Sequence, residues 1–173
     1  GWSFPYASND NRDRLGHGSH VAGTIGAVSN NGQGVTGVAW NVKLMNVQVA
    51  NDSGVASTTD IINGLWYAYN NGAKVINMSL GAEGLCSNMT SLQNTINIIS
   101  GSGVTIVVAA GNSNVDAATF FPASCNNTIV VGAYFRNPST FRLERSWYSN
   151  YGSTVDIAAP GGFSAPVTCP TDS

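Results

Sequence analysis

The chain has two histidines, His17 and His20, and both fall within Gly16-His17-Gly18-Ser19-His20-Val21-Ala22-Gly23-Thr24-Ile25. Histidine is the side chain that can take and return a proton near neutral pH. At the start of a small-residue helix, between two glycines, His17 would sit on a rigid element with room for backbone or substrate to come close. His20 lies one turn on, faces another way and reads as structural. A second group is Asn112, which follows an apolar run and the turn Ala109-Ala110-Gly111. At the carboxyl end of a parallel strand its amide can point into a crevice and donate to a developing oxyanion. A third is Ser79-Leu80-Gly81, again directly after an apolar run.

These groups need strands and helices to carry them. Val42 to Val49 reads as a strand, and Asn51-Asp52-Ser53-Gly54 as a polar turn. From Thr58 to Asn70 the apolar Ile61, Ile62, Leu65, Trp66 and Tyr69 recur at helical spacing, with N-cap candidates at Ser57 to Thr59 and Gly72 as the stop. Lys74 to Leu80 is the next strand, and Ser91 to Ser100 the next helix, stopped by Gly101. Val104 to Ala110 is nearly continuously apolar, as buried parallel strands are. Ile129 to Ala133 and Val155 to Ala159 complete the set. Strand-helix-strand alternation with crossovers of this length predicts an α/β fold around a parallel sheet. No internal repeat, low-complexity tract or linker divides the 173 residues, so one domain is expected.

Composition narrows the function. Hydrophobic residues make up 43%, enough for a sizeable core, whereas charged residues make up 9% against roughly a quarter in ordinary soluble domains. A net charge of -2 and seven scattered Lys and Arg argue against a nucleic-acid partner. No apolar run approaches the roughly 20 residues a membrane helix requires. Gly1-Trp2-Ser3-Phe4-Pro5 reads as neither leader nor pro-segment, so a mature or excised chain is expected. Cys86, Cys125 and Cys169 lack metal-site spacing. An odd cysteine count, few charges and many asparagines suit a secreted, extracellular protein whose disulfide framework has been cut.

Taken together, the histidine block, Ala109-Ala110-Gly111-Asn112 and Ser79-Leu80-Gly81 closely resemble the subtilisin-like serine proteases, the subtilase family. The family's histidine motif is His-Gly-Thr-His-Val-Ala-Gly-Thr, from which this chain departs by Ser19. Further similarity lies in Asn31 to Val38, Phe121-Pro122-Ala123, Ser149 to Gly152 and Asp156 to Gly161, so the family-like register runs from about His17 to Gly161. The resemblance implies a three-layer fold with a parallel central sheet, incomplete in this chain. It implies a peptide-bond hydrolase acting on a protein or peptide substrate, with His17 as general base and Asn112 as oxyanion donor.

Ser79, Leu80 and Gly81 would pair with the substrate backbone, as an added strand does. Gly81 with Ala109, Ala110 and Gly111 would form a shallow slot for the P1 side chain, and Ser53 to Ala56, including Gly54, the opposite edge. Glu83 is expected on an exposed loop. Cys86 and Cys125 flank the Asn112 strand, and their joint presence fits a disulfide across that face, leaving Cys169 to pair beyond Ser173. Catalysis would require no cofactor. Asn30 to Val35, with Asn31, has oxygen donors for a structural calcium of the kind the family often carries there.

Two parts of the family pattern are missing. No Asp-Ser-Gly or Asp-Thr-Gly strand precedes His17, and Asp10 and Asp13 lie in a polar loop. The nucleophile motif Gly-Thr-Ser-Met-Ala is absent, since neither Ser164 nor Ser173 has that setting. The chain is therefore expected to supply the histidine and the asparagine alone, to be inactive by itself, and to need the missing segments of the same protease domain as partners. The rival readings are a pseudoprotease that retains only peptide binding and a nucleotide-binding α/β domain. The latter lacks its phosphate loop, as there is no GxGxxG or GxxxxGK.

Overall fold

A computed structural model describes residues 1–163. The chain divides into two compact units, one from Gly1 to Lys74 and one from Val75 onward.

In the first unit, β1 (Trp2–Ser3) runs parallel to β2 (Val47–Gln48), with Trp2 opposite Val47 and Ser3 opposite Gln48. The strand expected over Val42 to Val49 is thus confined to two residues. Its partner β1 offers only two residues for a ladder, and Val42 to Asn46 remain exposed. Between the strands lies α1 (His17–Gly26), none of whose residues is buried. Its last carbonyls are taken up by a following loop: Gly37, Val38 and Ala39 donate N–H to the carbonyls of Ala27, Thr24 and Ile25 at 3.1, 3.0 and 2.8 Å.

Helix α2 (Thr58–Asn70) has the predicted bounds. Ser57 caps it by accepting from Asp60 N at 3.0 Å, while its hydroxyl donates to the Asp60 carboxylate at 2.7 Å. Gly72 ends it at a φ of 83°, a conformation glycine adopts without strain. Ile61, Gly64, Leu65 and Ala68 form its buried stripe. A Cβ on Gly64 would stand 2.6 Å from the Val49 side chain, so the missing side chain is what lets the helix lie close to the β2 segment.

The second unit is built on a five-stranded sheet. β3 (Val75–Met78), β5 (Thr105–Ala109), β7 (Ile129–Arg136) and β9 (Ile157–Pro160) are parallel in that spatial order, and β8 (Leu143–Arg145) pairs antiparallel with the end of β7. The short β4 (Ala82–Glu83) pairs antiparallel with β6 (Phe120–Phe121) as a separate ribbon. Helix α3 (Thr90–Gly101) makes the crossover between β3 and β5 and packs on β5, burying Leu92, Thr95, Ile96 and Ile99. Gly101 is its last residue, and the chain turns at Gly103 with a φ of 88°. Ile106, Val108 and Ala110 are each 1% exposed, so alternate residues of the β5 segment supply the core between sheet and helix. The architecture is α/β with a largely parallel sheet.

Cys86 and Cys125 are joined by a disulfide with a Cα separation of 5.0 Å. It links the turn before α3 to the turn before β7, and both sulfur-bearing residues are buried. Beside it Ser124 Oγ accepts from Cys86 N at 3.0 Å. Cys169 lies outside the described residues.

Candidate active site

His17 is the first residue of α1. The approach to it is held by Asp13, whose carboxylate accepts N–H bonds from Leu15 at 3.0 Å, Gly16 at 2.8 Å and Ser19 at 2.7 Å. A carboxylate on the free N–H groups of a helix start also meets the positive end of the helix dipole. Desolvation pushes the Asp13 carboxyl up, but the hydrogen bonds from Ser19, Gly16 and Leu15 outweigh it and lower its pKa to about 2. Gly18 sits against this carboxylate: a Cβ there would lie 3.5 Å from Asp13 Oδ2. Asp10 is engaged elsewhere, in ion pairs with Arg12 at 2.7 Å and Arg14 at 3.2 Å. The Arg12 hydrogen bond holds its carboxyl well below the usual carboxylate range.

Gly54 occupies the predicted turn with a φ of 77°, and Asn51 Oδ1 closes that turn by accepting from Ser53 N and Val55 N, each at 3.0 Å. The Asp-Ser-Gly tripeptide at Asp52 to Gly54 is therefore a turn rather than a strand, and Asp52 faces Arg14 at 3.5 Å. Asn31 is exposed, and its Oδ1 accepts from Gln33 N at 3.0 Å. Among the described residues, no three His, Cys, Asp or Glu side chains are grouped to hold a metal.

The second unit brings the other predicted residues to one end of its sheet. β3 and β5 are parallel neighbours, with Val75 opposite Thr105 and Met78 opposite Val108. Ser79-Leu80-Gly81 leaves β3, and Ala110-Gly111-Asn112 leaves β5, at the same carboxyl end. Open α/β sheets place ligands at such ends. Gly81 is pressed against the β6 ribbon, and a Cβ there would come 2.6 Å from the Phe121 carbonyl oxygen. Ala109 ends β5, Ala110 is buried, and Gly111 turns the chain at a φ of 104°. Asn112 is exposed, and its side chain makes no hydrogen bond among the described residues. Glu83 is exposed as expected, although it belongs to β4, opposite Phe120.

One residue of this turn was not singled out from the sequence. Asn150 is 1% exposed, and its side chain reaches the turn from beneath. Its Nδ2 donates to the Ala110 carbonyl at 2.9 Å, and its Oδ1 accepts from Ser113 N at 2.9 Å and Val115 N at 3.2 Å. Asn150 N also donates to the Gly111 carbonyl at 2.9 Å. A Cβ on Gly111 would run into Asn150 Nδ2. The one available signal was an asparagine inside a family-like Ser149 to Gly152 segment, and that does not name its distant partners.

The profile of the subtilase family matches residues 1–173. An extracellular basic protease of Dichelobacter nodosus is 41% identical over 168 residues, which cover 91% of this chain and 26% of that protein. Thermitase of Thermoactinomyces vulgaris is 38% identical over 163 residues, covering 94% of this chain and 55% of that protein. Among solved structures, a cold-adapted subtilisin-like serine proteinase superposes with a TM-score of 0.79 at 38% identity, covering 93% of this chain and 54% of the other. The chain thus spans between a quarter and just over half the length of these relatives. With the histidine block at the head of α1 and the asparagine turn at the end of β5, the match extends over the whole chain, which belongs to the subtilase family.

Proposed function

We propose that this chain is part of an extracellular serine endopeptidase, and that it carries the general base and the oxyanion donor of that enzyme. The observation that supports this most directly is the delivery of Ser79 to Gly81 and of Asn112 to the same end of one parallel sheet. Relatives named as extracellular proteases support the location. No helix among the described residues is long and apolar enough to cross a membrane.

In this reading a peptide substrate lies extended along Ser79-Leu80-Gly81, and main-chain hydrogen bonds hold it as they would an added strand. Its P1 side chain enters the slot floored by Gly81, Ala109, Ala110 and Gly111. His17 takes the proton of the attacking serine hydroxyl and returns it to the leaving amine. The Asn112 amide donates to the oxyanion of the tetrahedral intermediate. The 173 residues hold neither the family's nucleophile motif nor its aspartate strand. In this reading the serine and the aspartate that orients the histidine are therefore supplied by other segments of the parent protein, and the 173-residue chain alone turns over no substrate. A structural calcium at the loop 30–35 belongs to the same proposal: Asn31 Oδ1 keeps a lone pair after accepting from Gln33, and loop carbonyls would complete the ligand set.

The test is His17→Ala in the full-length parent on a peptide substrate. It should lower kcat by several orders of magnitude, because it removes the triad's general base. His20→Ala should change stability more than kcat. Wild-type turnover by His17→Ala would end the assignment.

A further inference from the structure

Asn112 can serve as an oxyanion donor only if its backbone is held where the amide meets the developing charge, since donors must lie within about 3 Å of that position. Among the described residues the exposed side chain of Asn112 has no hydrogen bond of its own to hold it, so the constraint seen here comes through the main chain on either side. That constraint is found in one buried residue, through its side chain and its own N–H. Asn150 binds Ala110 and Gly111 before Asn112, and Ser113 and Val115 after it.

We propose that Asn150 is the positioning residue of the oxyanion donor: it grips the main chain on both sides of Asn112 and leaves the Asn112 amide to face the substrate. The inference rests on the reading of Asn112 given above.

The chemistry of the amide explains why asparagine stands there. The grip needs one donor for Ala110 O and one acceptor for two N–H groups, from a side chain short enough to remain buried. Aspartate has the same shape, yet when ionised it can only accept, which turns the Ala110 contact from attraction to repulsion. A buried polar group with its partners in place rigidifies its surroundings, and the same group half satisfied is costly. Gly111 completes the fit, because a side chain there would displace Asn150 Nδ2.

An outer latch acts on the same loop. Arg145 Nη1 donates to Asn114 Oδ1 at 2.9 Å and also to the Ser149 carbonyl, while its guanidinium stacks over the Tyr151 ring at 5.0 Å. Asn114 itself turns at a φ of 55° and donates its N–H to Tyr148 O at 2.9 Å. The 148–151 segment thus grips the 110–115 loop from two sides, and Asn150 is the inner contact.

The experiment is a double-mutant cycle in the full-length parent, with Asn150→Asp, Asn112→Ala and the pair. Rates are expressed per active site counted by stoichiometric sulfonyl fluoride labelling, so that unfolded protein drops out. Removing one oxyanion donor lowers kcat by about 10²–10³-fold, a magnitude measured in a subtilisin and adopted for Asn112→Ala. Asn150→Asp should lower kcat by about 10–50-fold with KM within about twofold, the signature of an interaction made in the transition state. In the Asn112→Ala background the same substitution should change kcat by less than about threefold, because nothing remains to be positioned.

Equal losses in both backgrounds, or an unchanged kcat for Asn150→Asp, would overturn the inference while leaving Asn112 as a donor. An unchanged kcat for Asn112→Ala would instead remove the donor reading, and the inference with it. Should Asn150→Asp fail to accumulate as folded protein, Asn150→Ser carries the same cycle with the same criteria.

Discussion

Asp13 shows how much a side chain's role depends on which groups reach it. From the sequence it was one of two carboxylates in a polar loop, yet in the structure it collects three N–H groups at the head of the histidine helix. Its folded pKa of about 2 lies below the ordinary value of about 3.9 for aspartate. The stabilisation is therefore complete above about pH 4 and is lost as the pH falls through about 2. Asp13→Asn should lower the melting temperature of the parent at pH 7, with the gap to wild type closing as the pH drops from 4 to 2. Melting curves across that range check it; a gap that stayed constant would mean the ionised carboxylate is not what anchors the helix. Asn150 is the counterpart case. Its partners lie 35–40 positions away, so no local pattern could have marked it.

Elements with strong periodicity were legible, and those set by distant contacts were not. α2 has the predicted bounds, and α3 and the strands β3 and β5 fall within a residue or two of theirs, because their apolar spacing and caps act locally. β4, β6 and β8 are only two or three residues long and exist because a partner strand passes by, which leaves no repeat to read. The disulfide belongs to this scale. It joins residues 39 positions apart, and by loop entropy its removal should cost about 4 kcal/mol. Cys86→Ser with Cys125→Ser should lower the denaturation midpoint accordingly in urea titrations of the parent, whereas an unmoved midpoint would mean that the disulfide constrains little. The 30–35 loop gives a parallel test: if it holds a calcium, excess chelator should lower the melting temperature of the parent, and an unchanged temperature removes that proposal.

At the scale of the molecule, the α/β architecture and the histidine and asparagine blocks could be read from sequence because the family register runs through most of the chain. Apolar side chains that remain exposed in each unit, such as Val38 and Trp40 in the first and Val75 and Ile157 in the second, could not. Their exposure follows from tertiary neighbours rather than from residue type. The second unit does support an expectation about specificity. The residues proposed to form the P1 slot, Gly81, Ala109, Ala110 and Gly111, carry no charge, and the nearby Glu83 is committed to an exposed β4 position. Peptides differing only at P1 should therefore be cleaved fastest with medium or large apolar or aromatic residues there. A strong preference for Arg or Lys would mean that a carboxylate reaches the slot.

The long reach of Asn150 also has a temporal side. Ribosomes extend a chain at about 5–20 residues per second, so the 40 positions between Ala110 and Asn150 take about 2–8 seconds to appear. Throughout that interval the nascent turn at Asn112 lacks the buried amide that grips it. The β5 ladder can form while its tip is still loose, and on the proposed reading of Asn112 a positioned oxyanion donor arrives only with the later segment. Biosynthesis thus imposes a delay on the proposed donor: the grip on the Asn112 turn is complete only after the chain has been made well past it.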